Sequence, residues 1–169
     1  PEFTMLEWYR AGSDYFGMMD ETEALIKHVA LKSGSGNSIN YQGGRIDLDK
    51  PWTRMTVAEA FDKYASISVQ KALSDDRFDE TMAGIEPALG QNTPLFLYDY
   101  PDSCGALAKL KTGDGSIAER FELYICGLEL CNGFTELTDP KEQRSRFEKE
   151  LSSRKKAGKK EYPIPEKFL

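Results

Sequence analysis

Apolar and polar residues recur along this chain with two different periods, and each period predicts a different element. From Met18 to Leu31 the apolar residues return every three or four positions and include Leu25 and Val29. This period is typical of an amphipathic helix with one buried side. The helix is expected to end at the Ser-Gly-Ser-Gly-Asn run of residues 33–37, because these residues interrupt helices.

Three more helical regions are predicted, and capping residues indicate two of them. Thr56 and Glu59 form a capping-box pattern, which predicts a short helix running to Tyr64. Residues 68–90 read as one or two small helices joined by polar connections. A last helix is predicted by an aspartate cap, a proline at the first position and a glycine after the final turn. It should run from Asp139-Pro140 to about Lys156 and end near Gly158.

Short apolar or alternating runs bounded by turn residues predict the strands. They are Phe3–Arg10, a hairpin over Ser38–Leu48 turning at Gly43-Gly44, Pro94–Tyr98, and a pair at 117–126 and 128–137. Strands and helices do not alternate in a βαβ rhythm. The pattern therefore predicts an α+β fold with an antiparallel sheet flanked by helices.

Composition narrows the class of protein. The chain has 169 residues, 40% hydrophobic and 30% charged, which is typical of one globular domain. Its net charge of −6 argues against a general nucleic-acid binder. No apolar run approaches the roughly 20 residues that cross a membrane. Three cysteines without a paired spacing suit reduced thiols, so a cytoplasmic protein is expected.

The segment from residue 119 to 139 carries the candidate chemistry. Asn132, Phe134 and Glu136 alternate, so on a strand they share one face. An amide, an aromatic ring and a carboxylate on one face suit a cationic or amino-bearing ligand, although a solvated strand face is the simpler alternative. Glu122 and Glu129 add the carboxylates that a metal–phosphate site needs. Because Glu129 and Asn132 are three residues apart, a bulge near residues 130–131 is required to bring them together.

These residues also carry a family resemblance. The run RFELYICGLELCNGFTEL resembles the active-site hairpin of class II lysyl-tRNA synthetases, and PEFTMLEWYR resembles the second strand of their motif 2. The runs LEWYR and FLYDYP…ALAKL are similar to the GenX/PoxA-type branch, the elongation factor P–(R)-β-lysine ligases. The resemblance is strong over 1–32 and 94–150, and no motif supports it over 33–93.

The resemblance implies a partial class II catalytic domain over residues 1–169. Residues 1–32 would hold a motif 2 strand and a helix, 33–93 a variable insert, and 94–169 the active-site strands and the C-terminal helix. Motif 1, the first strand of motif 2 and motif 3 are not found in the sequence. We therefore expect an internal part of a catalytic domain, inactive alone, whose full-length form is a homodimer.

The implied activity is the activation of lysine or (R)-β-lysine by ATP and Mg²⁺ as an adenylate, followed by transfer to a lysine of elongation factor P. The nucleophile is an ionised carboxylate, so no general base is needed. Two alternatives remain: a lysyl-tRNA synthetase core that charges tRNA, and a non-catalytic amino-acid-binding paralogue. The implied substrate-binding residues are Glu7, Tyr9, Asn132, Phe134 and Glu136. The implied ATP-binding residues are Glu122, Glu129 and Leu130, with Glu122 and Glu129 also on the metal.

Overall fold

A computed structural model describes residues 2–169. Its strands are β1 (Ser38–Tyr41), β2 (Gly44–Asp47), β3 (Thr53–Thr56), β4 (Leu95–Pro101), β5 (Leu110–Lys111), β6 (Asp114–Ile125) and β7 (Leu128–Phe134). Its α-helices are α1 (Tyr15–Lys32), α2 (Val57–Tyr64), α3 (Val69–Ser74), α4 (Phe78–Ile85) and α5 (Pro140–Lys156). Within residues 2–169, no helix is long and apolar enough to cross a membrane.

The long strand β6 organises the main sheet. It pairs antiparallel with β4 along one side, and with β5 and β7 in turn along the other. β3 adds to the far side of β4 as the one parallel pair in this sheet, while β1 and β2 form a separate hairpin. The parallel pair arises because α2, α3 and α4 form the crossover between β3 and β4. The predicted α+β fold is confirmed.

An apolar cluster packs on each face of the sheet, because alternate residues of β4 and β6 point to opposite sides. On one face, Leu97 and Tyr124 pack with residues of α2, α3 and α4 such as Phe61. On the other face, Phe96 and Phe121 pack with residues of α1 and of the β1–β2 hairpin. Residues 33–93, for which no motif was found, thus supply β3 and three helices to the domain.

Locally encoded elements lie where the sequence predicts them. The carboxylate of Asp14 accepts a hydrogen bond from the amide of Gly17, so α1 begins three residues before the predicted Met18. The capping box of Thr56 and Glu59 is present. The predicted bounds of α5 are confirmed, with Asp139 as its cap.

The predicted strand at Phe3–Arg10 is wrong. Residues 2–10 form no regular secondary structure, and the Phe3 and Tyr9 side chains are each 81% exposed. The run has the length and alternation of a strand, but no strand within residues 2–169 pairs with it. Because a strand is stable only when a neighbour completes its hydrogen bonds, the run stays irregular. Its end is held by Arg10, which pairs with Glu21 of α1 at 2.5 Å.

Candidate functional site

The β6–β7 hairpin contains the bulge that the sequence requires. Glu122 pairs with Asn132 and Tyr124 pairs with Glu129, so Leu130 is the extra residue on β7. This shift places Glu129 and Asn132 on the same face of the hairpin as Glu122. The prediction of a bulge near residues 130–131 is therefore confirmed, and it brings two carboxylates and an amide to one surface.

Two glycines fix the shape of the hairpin. Cys126 and Gly127 form its turn with positive φ values of 51° and 74°, as a tight two-residue turn requires. Gly133 faces the ring of Phe121 on the opposite side of the sheet from the carboxylates, where a Cβ would lie 2.6 Å from ring atoms. The missing side chain at residue 133 therefore makes room for the core.

Glu122 lies in a buried hydrogen-bond network. Its Oε2 accepts hydrogen bonds from the hydroxyls of Tyr100 at 2.5 Å and Tyr124 at 2.6 Å. Its Oε1 accepts one from Nη2 of Arg120, also at 2.5 Å. Burial and the Glu122 carboxylate hold the pKa of both tyrosines far above its ordinary value, so both remain donors. The carboxylate is thereby held in one orientation, with one lone pair of Oε1 left over.

Sequence reasoning did not identify these partners of Glu122. Arg120 and Tyr124 lie two positions on either side of it, and the alternation of a strand places all three on one face. That signal was available in the sequence. Tyr100 lies 22 residues away on β4, within the run FLYDYP, and no spacing in the sequence links it to Glu122.

Glu129 differs from Glu122 in its environment. Within residues 2–169 its carboxylate has no hydrogen-bond or ion-pair partner, and the residue as a whole is exposed. Partial desolvation of the carboxyl group, and then the charge of Glu122, raise the pKa of Glu129 above its ordinary value. Burial and the same charge raise the pKa of Glu86. Negative charge is therefore concentrated here, and a cation would relieve the repulsion.

Glu122 and Glu129 are suited to a magnesium ion that is also bound by substrate phosphates. They are too few to bind a metal ion by themselves. No group of three or more His, Cys, Asp or Glu residues in the described part of the chain could hold a metal ion. Mg²⁺ is commonly bound by one or two carboxylates together with substrate phosphates. Glu129 and the remaining lone pair of Glu122 supply that number of protein ligands.

The other predicted site residues occupy two different settings. Asn132 and Glu136 are exposed and Phe134 is half-buried, all on or directly after β7. The backbone of Glu136 bridges to Ala108. Glu7 and Tyr9 lie in the irregular segment 2–10, and among the described residues no side-chain hydrogen bond or ion pair links them to the hairpin. Their predicted contact with a substrate stays a prediction.

Comparison with known proteins gives one family and two kinds of relative. The sequence model described as tRNA synthetases class II (D, K and N) matches residues 1–166. Elongation factor P–(R)-beta-lysine ligase of Vibrio atlanticus is 39% identical over 97% of this chain and 53% of its own length, and that of Vibrio parahaemolyticus is 40% identical with the same coverage. Lysine–tRNA ligase of Burkholderia cenocepacia is 38% identical over 91% of this chain and 35% of its own. The chain thus spans about half the length of the first relatives it matches.

Proposed function

Because this chain belongs to the class II tRNA synthetases of the D, K and N group, we propose that it is part of an ATP-dependent enzyme that activates lysine or (R)-β-lysine as an adenylate. The observation that carries the proposal is the common face of Glu122, Glu129 and Asn132, which the bulge at Leu130 creates. Relatives named as ligases for both lysine-type substrates support the choice of amino acid.

The residues after the bulge suit a diamine ligand. A lysine-type substrate carries two amino groups on a hydrocarbon stem. The amide of Asn132 and the carboxylate of Glu136 provide acceptors for ammonium groups, and the ring of Phe134 provides apolar surface for the stem. Glu7 and Tyr9 would complete this pocket from the N-terminal segment, as the family resemblance implies.

The carboxylates of the hairpin would bind the nucleotide side. Glu129 and Oε1 of Glu122 would hold Mg²⁺ together with phosphate oxygens of ATP, and Leu130 would line the nucleotide site. When bound, Mg²⁺ neutralises phosphate charge. Tyr100, Tyr124 and Arg120 keep the Glu122 carboxylate oriented. The substrate carboxylate is already ionised at neutral pH, so these residues act by positioning rather than as bases.

The proposed acceptor is a lysine of elongation factor P. The runs LEWYR and DYP favour this acceptor, and the relatives with that printed name match 97% of the chain. Transfer to tRNA is the second candidate, because lysine–tRNA ligases match with nearly the same identity. We further propose that the full-length enzyme is a cytoplasmic homodimer, as the family resemblance implies, and that the present chain does not catalyse by itself.

Calorimetric titration with lysine, (R)-β-lysine and Mg-ATP tests the pocket. We expect the chain to bind one or both lysines, and Glu136→Ala to abolish that binding. Glu161→Ala is the matched control, because Glu161 is an exposed carboxylate in the C-terminal segment and outside the proposed pocket residues. A wild-type chain that binds neither lysine would contradict a lysine pocket on these residues. Equal loss in both variants would show that the effect is not specific to Glu136.

A further inference from the structure

The side chain of Arg146 on α5 bonds to the backbone beside the proposed pocket. Nη1 of Arg146 donates to the carbonyl oxygens of both Ala106 and Ala108, each at 2.8 Å. Nε donates to the carboxylate of Glu142, one turn earlier on the helix, at 3.0 Å. The guanidinium thus joins the helix to two backbone carbonyls through Nη1, while its Nε bonds to Glu142 and fixes the orientation of the planar group.

The segment held by Arg146 is bonded in turn to the backbone around Glu136. The amide of Lys109 donates to the carbonyl of Thr135 at 2.8 Å, and the amide of Leu137 donates to the carbonyl of Leu107 at 2.9 Å. Glu136 lies between these two bonds, opposite Ala108. The position of the Glu136 backbone therefore depends on where residues 107–109 lie.

The surroundings of the segment leave it little freedom. A Cβ on Gly105 would lie 2.9 Å from the Cβ of Ala118 and 3.0 Å from the carbonyl oxygen of Asp102, so the chain approaches the sheet closely here. The Ala108 side chain is fully buried. Arg146 lies beside the same turn, with Nη1 at 3.7 Å from that Cβ position. The segment is thus held between β6 and the guanidinium.

Packing alone does not account for an arginine at this position. Nη2 of Arg146 is buried and has no hydrogen-bond partner among the described residues. An unpaired buried donor is unfavourable, and an apolar side chain would avoid it. The favourable contacts of the guanidinium are its bonds to the two carbonyls and to Glu142.

We propose that Arg146 is a positioning residue for Glu136 and that it sets the affinity for the lysine-type ligand through residues 106–108. The proposal rests on the proposed function, since it takes Glu136 as a ligand-binding carboxylate. Arg146 does not touch the ligand. It fixes the backbone from which the Glu136 side chain projects.

Amide hydrogen exchange tests the backbone step without any ligand. In Arg146→Met the amides of Lys109 and Leu137 should exchange at least about tenfold faster than in the wild type, because local opening becomes easier. The exchange rates in Arg146→Lys should lie between those of the wild type and Arg146→Met, since the ammonium can still donate to the carbonyls but lacks the fixed bond of Nε to Glu142. The control is Arg144→Met, which removes an exposed pair with Glu166 from the same helix and should leave both amides unchanged. Wild-type protection of both amides in Arg146→Met, or in Arg146→Lys if the methionine variant does not fold, overturns the proposal.

Calorimetry then tests the ligand step. Arg146→Met should weaken binding of the better-bound lysine by about tenfold, Arg146→Lys should restore part of it, and Mg-ATP binding should not change. Faster exchange with unchanged lysine affinity overturns the positioning role. If the wild-type chain binds neither lysine, the lysine pocket of the proposed function fails and the ligand step fails with it, while the exchange result still decides the backbone step.

Discussion

Tyr100 donates a hydrogen bond of 2.5 Å to Oε2 of Glu122, which links β4 to β6 beneath the candidate site. Glu122 is 7% exposed, so the hydrogen bonds to its carboxylate come mainly from the protein. The family resemblance assigns Glu122 and Glu129 to the same metal. In this structure their environments differ, because Glu122 is bound by three donors and Glu129 by none among residues 2–169.

Replacing Tyr100 by phenylalanine should destabilise the chain. The substitution keeps the ring but removes one donor from a buried carboxylate, and hydrogen bonds to charged groups contribute about 1.5–3 kcal/mol. We expect the free energy of unfolding in urea to fall by about this amount. Tyr162→Phe is the control, because Tyr162 is exposed and its hydroxyl has no partner among the described residues. Equal stability of Tyr100→Phe and the wild type would show that this hydrogen bond does not stabilise the fold.

Adding a methyl group at Gly133 should also destabilise the fold. The new Cβ would lie 2.6 Å from the ring of Phe121, and overpacking of this kind costs about 1–3 kcal/mol. Gly115→Ala is the matched control, since a Cβ there meets nothing within 4 Å. Thermal unfolding measures both variants. Phe121→Leu in the Gly133→Ala background should cost less than Phe121→Leu alone. A purely additive double mutant would contradict the steric explanation.

The capping box of α2 predicts a pH dependence. The backbone amide and the hydroxyl of Thr56 both donate to Glu59, and they hold the pKa of Glu59 below its ordinary value of 4.5. The resulting stability is present above the unfolded pKa and is lost as the pH falls through the folded one. At pH 7 the free energy of unfolding of the wild type should therefore be about 0.3 kcal/mol larger than that of Glu59→Gln. The difference is small because the carboxylate is exposed.

Urea unfolding at pH 7 and pH 3 measures this difference. The gap between the unfolding free energies of wild type and Glu59→Gln should narrow as the pH falls from 7 to 3, because protonation removes the charge that Thr56 stabilises. Thr56→Ser retains the hydroxyl donor and should behave as the wild type does. A gap that persists unchanged at pH 3 would exclude the ionised carboxylate as its cause.

Elements whose signals are local were predictable from the sequence. Asp139 with Pro140 defines the start of α5, and Thr56 with Glu59 defines the start of α2, because the capping groups and the helix are adjacent. The segment 2–10 shows the opposite case. Its alternation is that of a strand, but whether a strand forms depends on a partner that the run itself does not specify.

In the candidate site, too, features with local signals were predictable and features that depend on distant residues were not. The alternation of side chains along a strand required a bulge to bring Glu129 and Asn132 to one face, and the structure has this bulge. The same alternation could not predict on which face of the sheet Tyr100 lies. Asp99 has a φ of 59°, and the β4–β6 register shifts between Tyr98 and Tyr100. The two tyrosines therefore join different apolar clusters although they are two residues apart. A shift of this kind depends on pairing between distant residues.

The chain alone should give no ATP–pyrophosphate exchange above background. Activation places developing negative charge on the α-phosphate, and its stabilisation needs cationic groups aimed at it. Arg120 is bonded beside the carboxylates, and its two terminal nitrogens donate to the carbonyl oxygen of Cys104 and to Glu122. Exchange assayed with lysine and with (R)-β-lysine measures this, with a full-length relative as the positive control. Exchange that is above background and lost in Glu129→Gln would show that the hairpin activates the amino acid without further arginines.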